Sequence, residues 1–399
     1  MTTPLPSARP EEVGLSQAGL DRLAAALNER IVSGHLPGAV ALVARHGKVA
    51  WFNSFGLLDP GSGAAMTKDA IFRVYSMTKP IVSVAVMMLW EEGRLLLSDP
   101  IGKYIPAFNQ TKVGVIEGDT WRAAEPVRPI TVQDLLRHTS GLTYEFLGAT
   151  PIHKAYAQAR VARLKQSNTD QANELAALPL LHQPGTAWEY SRSTDVLGRL
   201  VEVVSGQTLG AFLSARILQP LGMTDTAFSV HEAQQHRIAE AFARDPENGT
   251  AVALLDVRRP AMFESGGGGL VATTMDYARF CAMLLGNGRL GNGPLGETRL
   301  LGRKTVELMT SDHLGPVMGA PDLLPPGHGF GLGFAVRTSA GMATFPGSVG
   351  NYYWSGMAGT SFWIDPVERL FAVLMIQAPV QREYYRLLFR DLVYAAVAD

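Results

Sequence analysis

Two polar residues at the start of an apolar segment have the types and the spacing of a nucleophile and its base. Ser76 and Lys79 lie three positions apart in RVYSMTKPIV, directly before the apolar run from Ile81 to Trp90. Residues at positions i and i+3 of a helix lie on one face, about one turn apart, and Pro80 is tolerated only in a first helical turn. The pattern therefore predicts a serine hydroxyl at a helix N-terminus with the lysine amine beside it.

This arrangement suits nucleophilic catalysis. The free backbone N–H groups and the dipole at a helix N-terminus stabilise an oxyanion. A lysine that is buried against the following apolar turns loses pKa, and its neutral amine is able to take the proton of a serine hydroxyl. The same tetrapeptide also fits a serine helix cap and a surface lysine, so other residues must distinguish these alternatives.

Two further segments supply groups that such a pair needs. Tyr190 places a phenol just before a predicted helix, where it either moves protons or packs in the core. Gly356 and Gly359 bracket the entry of a strand, and glycine there allows the backbone to approach a ligand closely. The N–H groups of Ser76 and Met357 are therefore predicted to form an oxyanion hole, although a plain β-turn fits the same glycines.

The elements that must position these groups are β-rich at both ends of the chain and helical between them. GAVALVARHGKVAWFNSFG indicates a hairpin near the start, and three β-rich runs followed by a helix at about 381–397 close the chain. Prolines break residues 94 to about 130, which are predicted to be loop with short helices. The fold class is therefore α/β (α+β): a central antiparallel sheet from both termini, flanked by helices, with a mainly helical insertion.

We expect two domains with the active site in the crevice between them. The sheet domain is discontinuous and comprises residues 1–95 and 330–399, and the inserted domain comprises residues 96–329. Loops 107–126 and 311–328 are expected to form pocket walls.

Composition restricts the partners. The chain has 399 residues, 47% of them apolar, and a formal net charge of −1, so we expect neither a nucleic acid nor a membrane as partner. Cys281 is the single cysteine, which excludes a disulfide framework and a cysteine-rich metal site. No secretory signal is evident at the start, which favours a cytoplasmic protein. No histidine spacing indicates a metal, and neither a cofactor nor a metal is expected.

Three motifs in order resemble those of the serine β-lactamase and penicillin-binding protein superfamily. They are Ser76-Met77-Thr78-Lys79, then Tyr190, then Trp354-Ser355-Gly356, with supporting phrases such as ITVQDLLRHTSGL and GGGGLVATTMDYARF between them. The resemblance extends from about residue 10 to residue 395. Within the superfamily, Ser-x-x-Lys, Tyr and Trp-x-Gly are similar to the family VIII carboxylesterases, which share the class C β-lactamase fold.

Two departures from the β-lactamase pattern refine the expected substrate. Arg192 stands where β-lactamases and penicillin-binding proteins have an asparagine, and Trp354 stands where they have lysine or histidine. The missing groups help to hold the amide and carboxylate of a lactam or peptide. The resemblance therefore implies that Trp354, Ser355 and Gly356 bind a small-molecule ester.

The implied activity is hydrolysis of short-chain carboxylic esters through an acyl-enzyme on Ser76, with Lys79 and Tyr190 acting together as base. Alternatives on the same fold are a β-lactamase, a D-amino peptidase or an acyltransferase, and a non-catalytic binding protein is a further one. No Gly-x-Ser-x-Gly motif is present. His138, Asp134 and Glu189 are expected to be structural, and the sequence leaves the oligomeric state open.

Overall fold

The computed structural model of the chain describes residues 5–293, 296–315, 317 and 323–399. Part of the predicted wall loop 311–328 therefore lies outside the described residues.

The helices lie along the middle of the chain and on both flanks of the sheet. Short 3-10 turns precede or connect several of them, including Tyr75–Met77 before the second helix. The α-helices of the described residues are α1 (Gln17–Val32), α2 (Thr78–Glu91), α3 (Val132–Leu136), α4 (Pro151–Ala159), α5 (Asn168–Ala177), α6 (Ser193–Ser205), α7 (Leu209–Leu213), α8 (Gln219–Leu221), α9 (Thr274–Leu285), α10 (Arg303–Met309) and α11 (Arg382–Tyr394).

Within the described residues, the strands form one large antiparallel sheet and three two-stranded sheets. They are β1 (Gly38–Arg45), β2 (Lys48–Asp59), β3 (Ala64–Ala65), β4 (Ile71–Arg73), β5 (Val113–Glu117), β6 (Thr120–Ala124), β7 (Val271–Thr273), β8 (Arg289–Gly293), β9 (Gly296–Arg299), β10 (His328–Phe330), β11 (Ala335–Arg337), β12 (Tyr352–Ser355), β13 (Ser361–Asp365) and β14 (Leu370–Ile376). The large sheet has the order β10-β11-β12-β13-β14-β1-β2-β3, so its centre pairs β1 from the N-terminal part with β14 from the C-terminal part.

The sheet is covered on both faces, which explains why its central strands are apolar throughout. Along β1, Val40 and Leu42 belong to the core shared with the helical part, whereas Ala39 and Ala41 belong to a second core with residues of α1 and α11. This alternation follows the two-residue period of a strand. The predicted fold class, an antiparallel sheet from both termini flanked by helices, is confirmed.

Helix α2 passes through the larger core and begins at the edge of the site. Every residue from Thr78 to Leu89 is buried, as expected of a helix that is apolar all round. Gly333, at φ +98°, approaches α2 so closely that a Cβ there would collide with Ser83. The connection between β10 and β11 therefore lies in direct contact with the middle of α2.

One segment differs from the prediction. Residues 94 to about 130 contain the predicted loop and 3-10 turns, but they also contain the hairpin β5–β6, which the prediction missed. Its strands are joined by Gly118 and Asp119, and Gly118 has φ +61°. The division into residues 1–95 with 330–399 and residues 96–329 stays a prediction.

Among the described residues, no single helix is both long and apolar enough to cross a membrane. The bent pair of Ser193–Ser205 and Leu209–Leu221 has that length and composition only when its two parts are combined.

The contact between Gly333 and α2 is expected to contribute measurably to stability. Gly341 also has a positive φ (+70°), but a Cβ there would meet nothing within 4 Å. Gly341→Ala should therefore lower the free energy of unfolding by about 1–2 kcal/mol, from backbone strain alone. Gly333→Ala should lower it by at least about 1 kcal/mol more, because the new methyl group also overpacks the core.

Urea unfolding of both variants checks this expectation. Equal losses in the free energy of unfolding would show that the methyl group at position 333 does not overpack the core.

Candidate active site

Ser76 lies in a strained turn at the start of α2. The residue before it, Tyr75, has φ +43°, a left-handed conformation that is uncommon for a residue with a bulky side chain. The Tyr75 hydroxyl accepts a hydrogen bond from the backbone N–H of Leu255 at 2.9 Å, and Gly268 packs next to the Tyr75 backbone. Strained backbone of this kind clusters at functional sites, and here it presents the serine beside the helix N-terminus.

Lys79 is buried one turn after Ser76 and makes three polar contacts. Lys79 is 1% exposed. The Nζ atom lies 3.2 Å from Ser76 Oγ, 3.0 Å from the Tyr144 hydroxyl and 2.6 Å from the Gly267 carbonyl oxygen. A neutral lysine amine has two N–H donors and one lone pair, so donors to Gly267 and Tyr144 leave the lone pair for the serine proton.

Burial makes this neutral form accessible near neutrality. Desolvation lowers the pKa of Lys79 from its ordinary value to about 7. The negative charge of Asp195 opposes this change, and the positive charge of Arg192 reinforces it. At pH values above about 7, the amine is therefore mostly unprotonated and able to act as a base.

Tyr190 also lies beside Ser76, and Trp354 lies beside Tyr190. The Tyr190 hydroxyl accepts a hydrogen bond from Trp354 Nε1 at 3.2 Å, and the Lys79 amine lies 4.5 Å from the centre of the Tyr190 ring. Desolvation raises the pKa of Tyr190 above its ordinary value, and hydrogen bonds with Ser76 and Trp354 oppose part of that rise. The Tyr190 phenol therefore keeps its proton at pH values at which the Lys79 amine has lost its own.

Tyr144 is a site residue that the sequence analysis missed. It lies in the loop after α3, and its hydroxyl is the one that bonds to Lys79 directly. Desolvation raises the pKa of Tyr144 well above its ordinary value. A lone tyrosine in a loop 65 residues from its partner carries no recognisable signal in the sequence.

Arg192 is present in the site but is not free to bind an anion. Its guanidinium pairs with Glu145 at 2.6 Å and stacks over the Tyr144 ring at 4.6 Å. It is 8% exposed. Arg192 therefore supports the wall that contains Tyr144.

The segment after β12 reaches the serine turn closely enough to contribute backbone donors. The Gly356 N–H bonds to the Thr360 carbonyl at 2.8 Å, and a Cβ on Gly356 would collide with the Val74 carbonyl. Glycine is required here for the close approach that the sequence indicated. Ser355 ends β12 and Met357 follows the glycine, and the predicted oxyanion hole from the Ser76 and Met357 N–H groups stays a prediction.

The three residues that were expected to be structural make hydrogen bonds to other protein side chains. Asp134 accepts hydrogen bonds from Arg128 and Thr131, and Glu189 accepts one from Thr143 at 2.6 Å. His138 is buried beside Ser191, at 3.2 Å between Nδ1 and Oγ. Burial, reinforced by the charge of Lys79, lowers the pKa of His138 well below its ordinary value.

The rim of the site carries exposed apolar side chains. Phe146 is 63% exposed and stacks on Tyr144 at 4.8 Å, and Met357 is 46% exposed. Together with the buried Trp354, these groups offer apolar contacts to a neutral substrate.

The chain is similar to known proteins over nearly its whole length. The family model described as Beta-lactamase matches residues 20–395. Esterase EstB of Burkholderia gladioli is 32% identical over 94% of this chain and 95% of its own. Protein Rv1367c of Mycobacterium tuberculosis is 36% identical over 90% of each chain. Among solved structures, EstCE1, a hydrolase with promiscuous acyltransferase activity, has a TM-score of 0.78 and 27% identity over 95% of this chain and 99% of its own.

The contact between Tyr144 and Lys79 generates a prediction. Tyr144→Phe removes the hydroxyl that orients the amine, so the rate at which a fluorophosphonate labels Ser76 should fall by about 10–100-fold. Tyr385→Phe is the matched control, because this buried tyrosine donates its hydroxyl to the His35 carbonyl at 3.1 Å, away from Lys79.

Labelling rates followed by intact-protein mass spectrometry test this point. Equal labelling rates for the two variants would show that the Tyr144 hydroxyl has no effect on the reactivity of Ser76.

Proposed function

Because the chain belongs to the β-lactamase family and is a serine hydrolase, we propose that it hydrolyses short-chain carboxylic esters through an acyl-enzyme on Ser76. The observation that carries this proposal is the buried Lys79 amine, with a pKa of about 7, held 3.2 Å from the serine hydroxyl. The similarity to esterase EstB over nearly the whole of both chains supports an ester as substrate.

In the acylation step, the lone pair of Lys79 takes the Ser76 proton as Oγ attacks the ester carbonyl carbon. The N–H groups of Ser76 and Met357 stabilise the resulting oxyanion. The intermediate then expels the alcohol oxygen, which takes a proton from the Tyr190 hydroxyl, and protonated Lys79 restores that proton. Acyl-serine and free alcohol result.

In the second step, water attacks the acyl-serine. Lys79 and Tyr190 together take the water proton, and Ser76 Oγ takes a proton back as the acid leaves. Of the two, Lys79 is the group that ends with the proton in this scheme, because burial lowers the pKa of Lys79 and raises that of Tyr190. The sum of both steps is ester plus water giving acid plus alcohol.

The wall residues favour an ester over a β-lactam. The cation that β-lactamases place at the start of the third motif is replaced by Trp354, whose N–H is engaged with Tyr190. Two cations lie near the site: Arg192 is paired with Glu145, and Arg386, which donates to the Gly356 carbonyl, is paired with Glu383. A neutral acyl or alcohol group therefore fits the site better than the carboxylate of a lactam.

The serine is the first residue to test. Ser76→Ala should lower kcat/KM for p-nitrophenyl butyrate by at least about 1000-fold, and wild-type turnover should favour short acyl chains and exceed that of nitrocefin. Ser83→Ala is the matched control, because Ser83 is a buried serine in the middle of α2 and lies next to Gly333. Fast nitrocefin turnover with poor ester cleavage would instead identify a β-lactamase.

The pH dependence follows from the sign of the shift in pKa. Protonated Lys79 is unable to take a proton, so kcat/KM should rise through an apparent pKa of about 7 and then level off. The pKa values of Tyr144 and Tyr190 are raised, so neither phenol should produce a basic limb below pH 10. A profile that is flat between pH 5.5 and 9 would contradict this assignment of the base.

Acyl transfer is a second candidate, favoured by the similarity to EstCE1, a hydrolase with promiscuous acyltransferase activity. An added alcohol would then take the place of water in the second step. Product analysis with and without propanol distinguishes the two: a propyl ester shows transfer, and acid alone shows hydrolysis.

A further inference from the structure

Asp195 is a buried carboxylate whose charge acts on Lys79, and its Oδ2 atom lies 3.6 Å from Arg192 Nη1. It is the third residue of α6 and is 2% exposed. Its Oδ1 atom accepts hydrogen bonds from the Gly267 N–H at 2.8 Å and from Ser265 Oγ at 2.6 Å. The carboxylate thus anchors residues 265–269, here called the glycine strap.

The glycine strap in turn contacts Lys79 and the residue before Ser76. The carbonyl oxygen of Gly267 accepts a hydrogen bond from Lys79 Nζ at 2.6 Å. The next residue, Gly268, packs beside the backbone of Tyr75. Gly267 therefore connects the Asp195 carboxylate, through its N–H, to the catalytic amine, through its carbonyl.

The fit between Asp195 and the strap leaves no room for a side chain. A Cβ on Gly267 would lie 2.9 Å from Oδ2 and 3.0 Å from Oδ1 of Asp195. Real Cβ contacts are longer than this, so glycine at position 267 permits the carboxylate to reach the backbone N–H.

We propose that Asp195 is a positioning residue for the reaction at Ser76: its carboxylate fixes the glycine strap so that the Gly267 carbonyl orients the Lys79 amine toward the serine hydroxyl. This inference rests on the proposed function. It assigns to Asp195 two separable effects, a mechanical one through Oδ1 and an electrostatic one through its charge.

The electrostatic effect has a defined sign. The charged and titratable groups that face the amine are Asp195, Arg192, His138, Tyr144 and Tyr190. Among them, the Asp195 charge raises the pKa of Lys79 and the Arg192 charge lowers it. Removing the Asp195 charge should therefore lower the pKa of Lys79, and the neutral base should persist to lower pH.

Two substitutions separate the effects. Asp195→Asn retains an oxygen for the strap but loses the charge, so kcat should stay within about threefold while the acid limb of kcat/KM moves down by roughly half a pH unit. Asp195→Ala loses the anchor as well, so kcat should fall by about 10–100-fold with KM changed much less.

Asp276→Asn is the matched control. Asp276 is the third residue of α9, is 4% exposed, and anchors residues 225 and 226 through its Oδ2 atom. It should leave kcat and the acid limb unchanged. If Asp195→Ala does not fold, Ser265→Ala removes one of the two anchored groups without a change of charge, and it should lower kcat without moving the acid limb.

The experiment measures pH profiles with p-nitrophenyl butyrate for these variants and Ser76→Ala together. If Ser76→Ala is inactive but the Asp195 variants have the kcat and acid limb of the wild type, the positioning role alone is overturned. Equal losses in Asp195→Asn and Asp195→Ala with an unmoved acid limb would also overturn it. An active Ser76→Ala variant would instead overturn the proposed function.

Discussion

The desolvation of one lysine is the constraint on which the rest of the site depends. An ammonium group is strongly hydrated, and its removal from water favours the neutral amine. Lys79 is 1% exposed because it lies in the first full turn of a helix that is buried on every side. The apolar character of α2 and its packing against α6 and α7 keep water from the amine.

The residues around the amine then decide what the neutral base can do. Tyr144 and the Gly267 carbonyl use its two N–H groups, so its lone pair is directed to Ser76. The two tyrosines keep their protons because burial raises the pKa of each phenol. In the proposed mechanism, groups with displaced pKa values thus divide the roles of base and proton donor. The pairing of Arg192 with Glu145 supports this arrangement and, by neutralising the guanidinium, leaves the rim mostly apolar.

Local patterns in the sequence predicted most of the fold and the core of the site. The helical spacing of Ser76 and Lys79 and the hairpin β1–β2 are properties of short segments, and both are present in the structure. Hairpin β5–β6 was missed although Gly118-Asp119 is a two-residue turn signal, because the neighbouring prolines indicated a loop. A loop and a hairpin are hard to separate when prolines flank a short strand pair.

The contacts that were not predicted are those made by tertiary packing. Tyr144 meets Lys79 across 65 positions, and the Gly267 carbonyl meets it across 188. The sequence marks these residues as a loop tyrosine and a glycine-rich turn, and neither pattern specifies a partner. Asp195 has the same character, since an aspartate in the first turn of a helix is ordinarily explained by the helix dipole.

The most direct test of the central claim is the titration of Lys79 by NMR in protein labelled with ¹³C at the lysine Cε position. The Lys79→Met variant assigns its resonance. We expect one lysine signal that titrates near pH 7 and is absent from the Lys79→Met variant. If every lysine signal titrates near its ordinary value of about 10.4, the amine is protonated at neutral pH and Lys79 is not the base that activates Ser76.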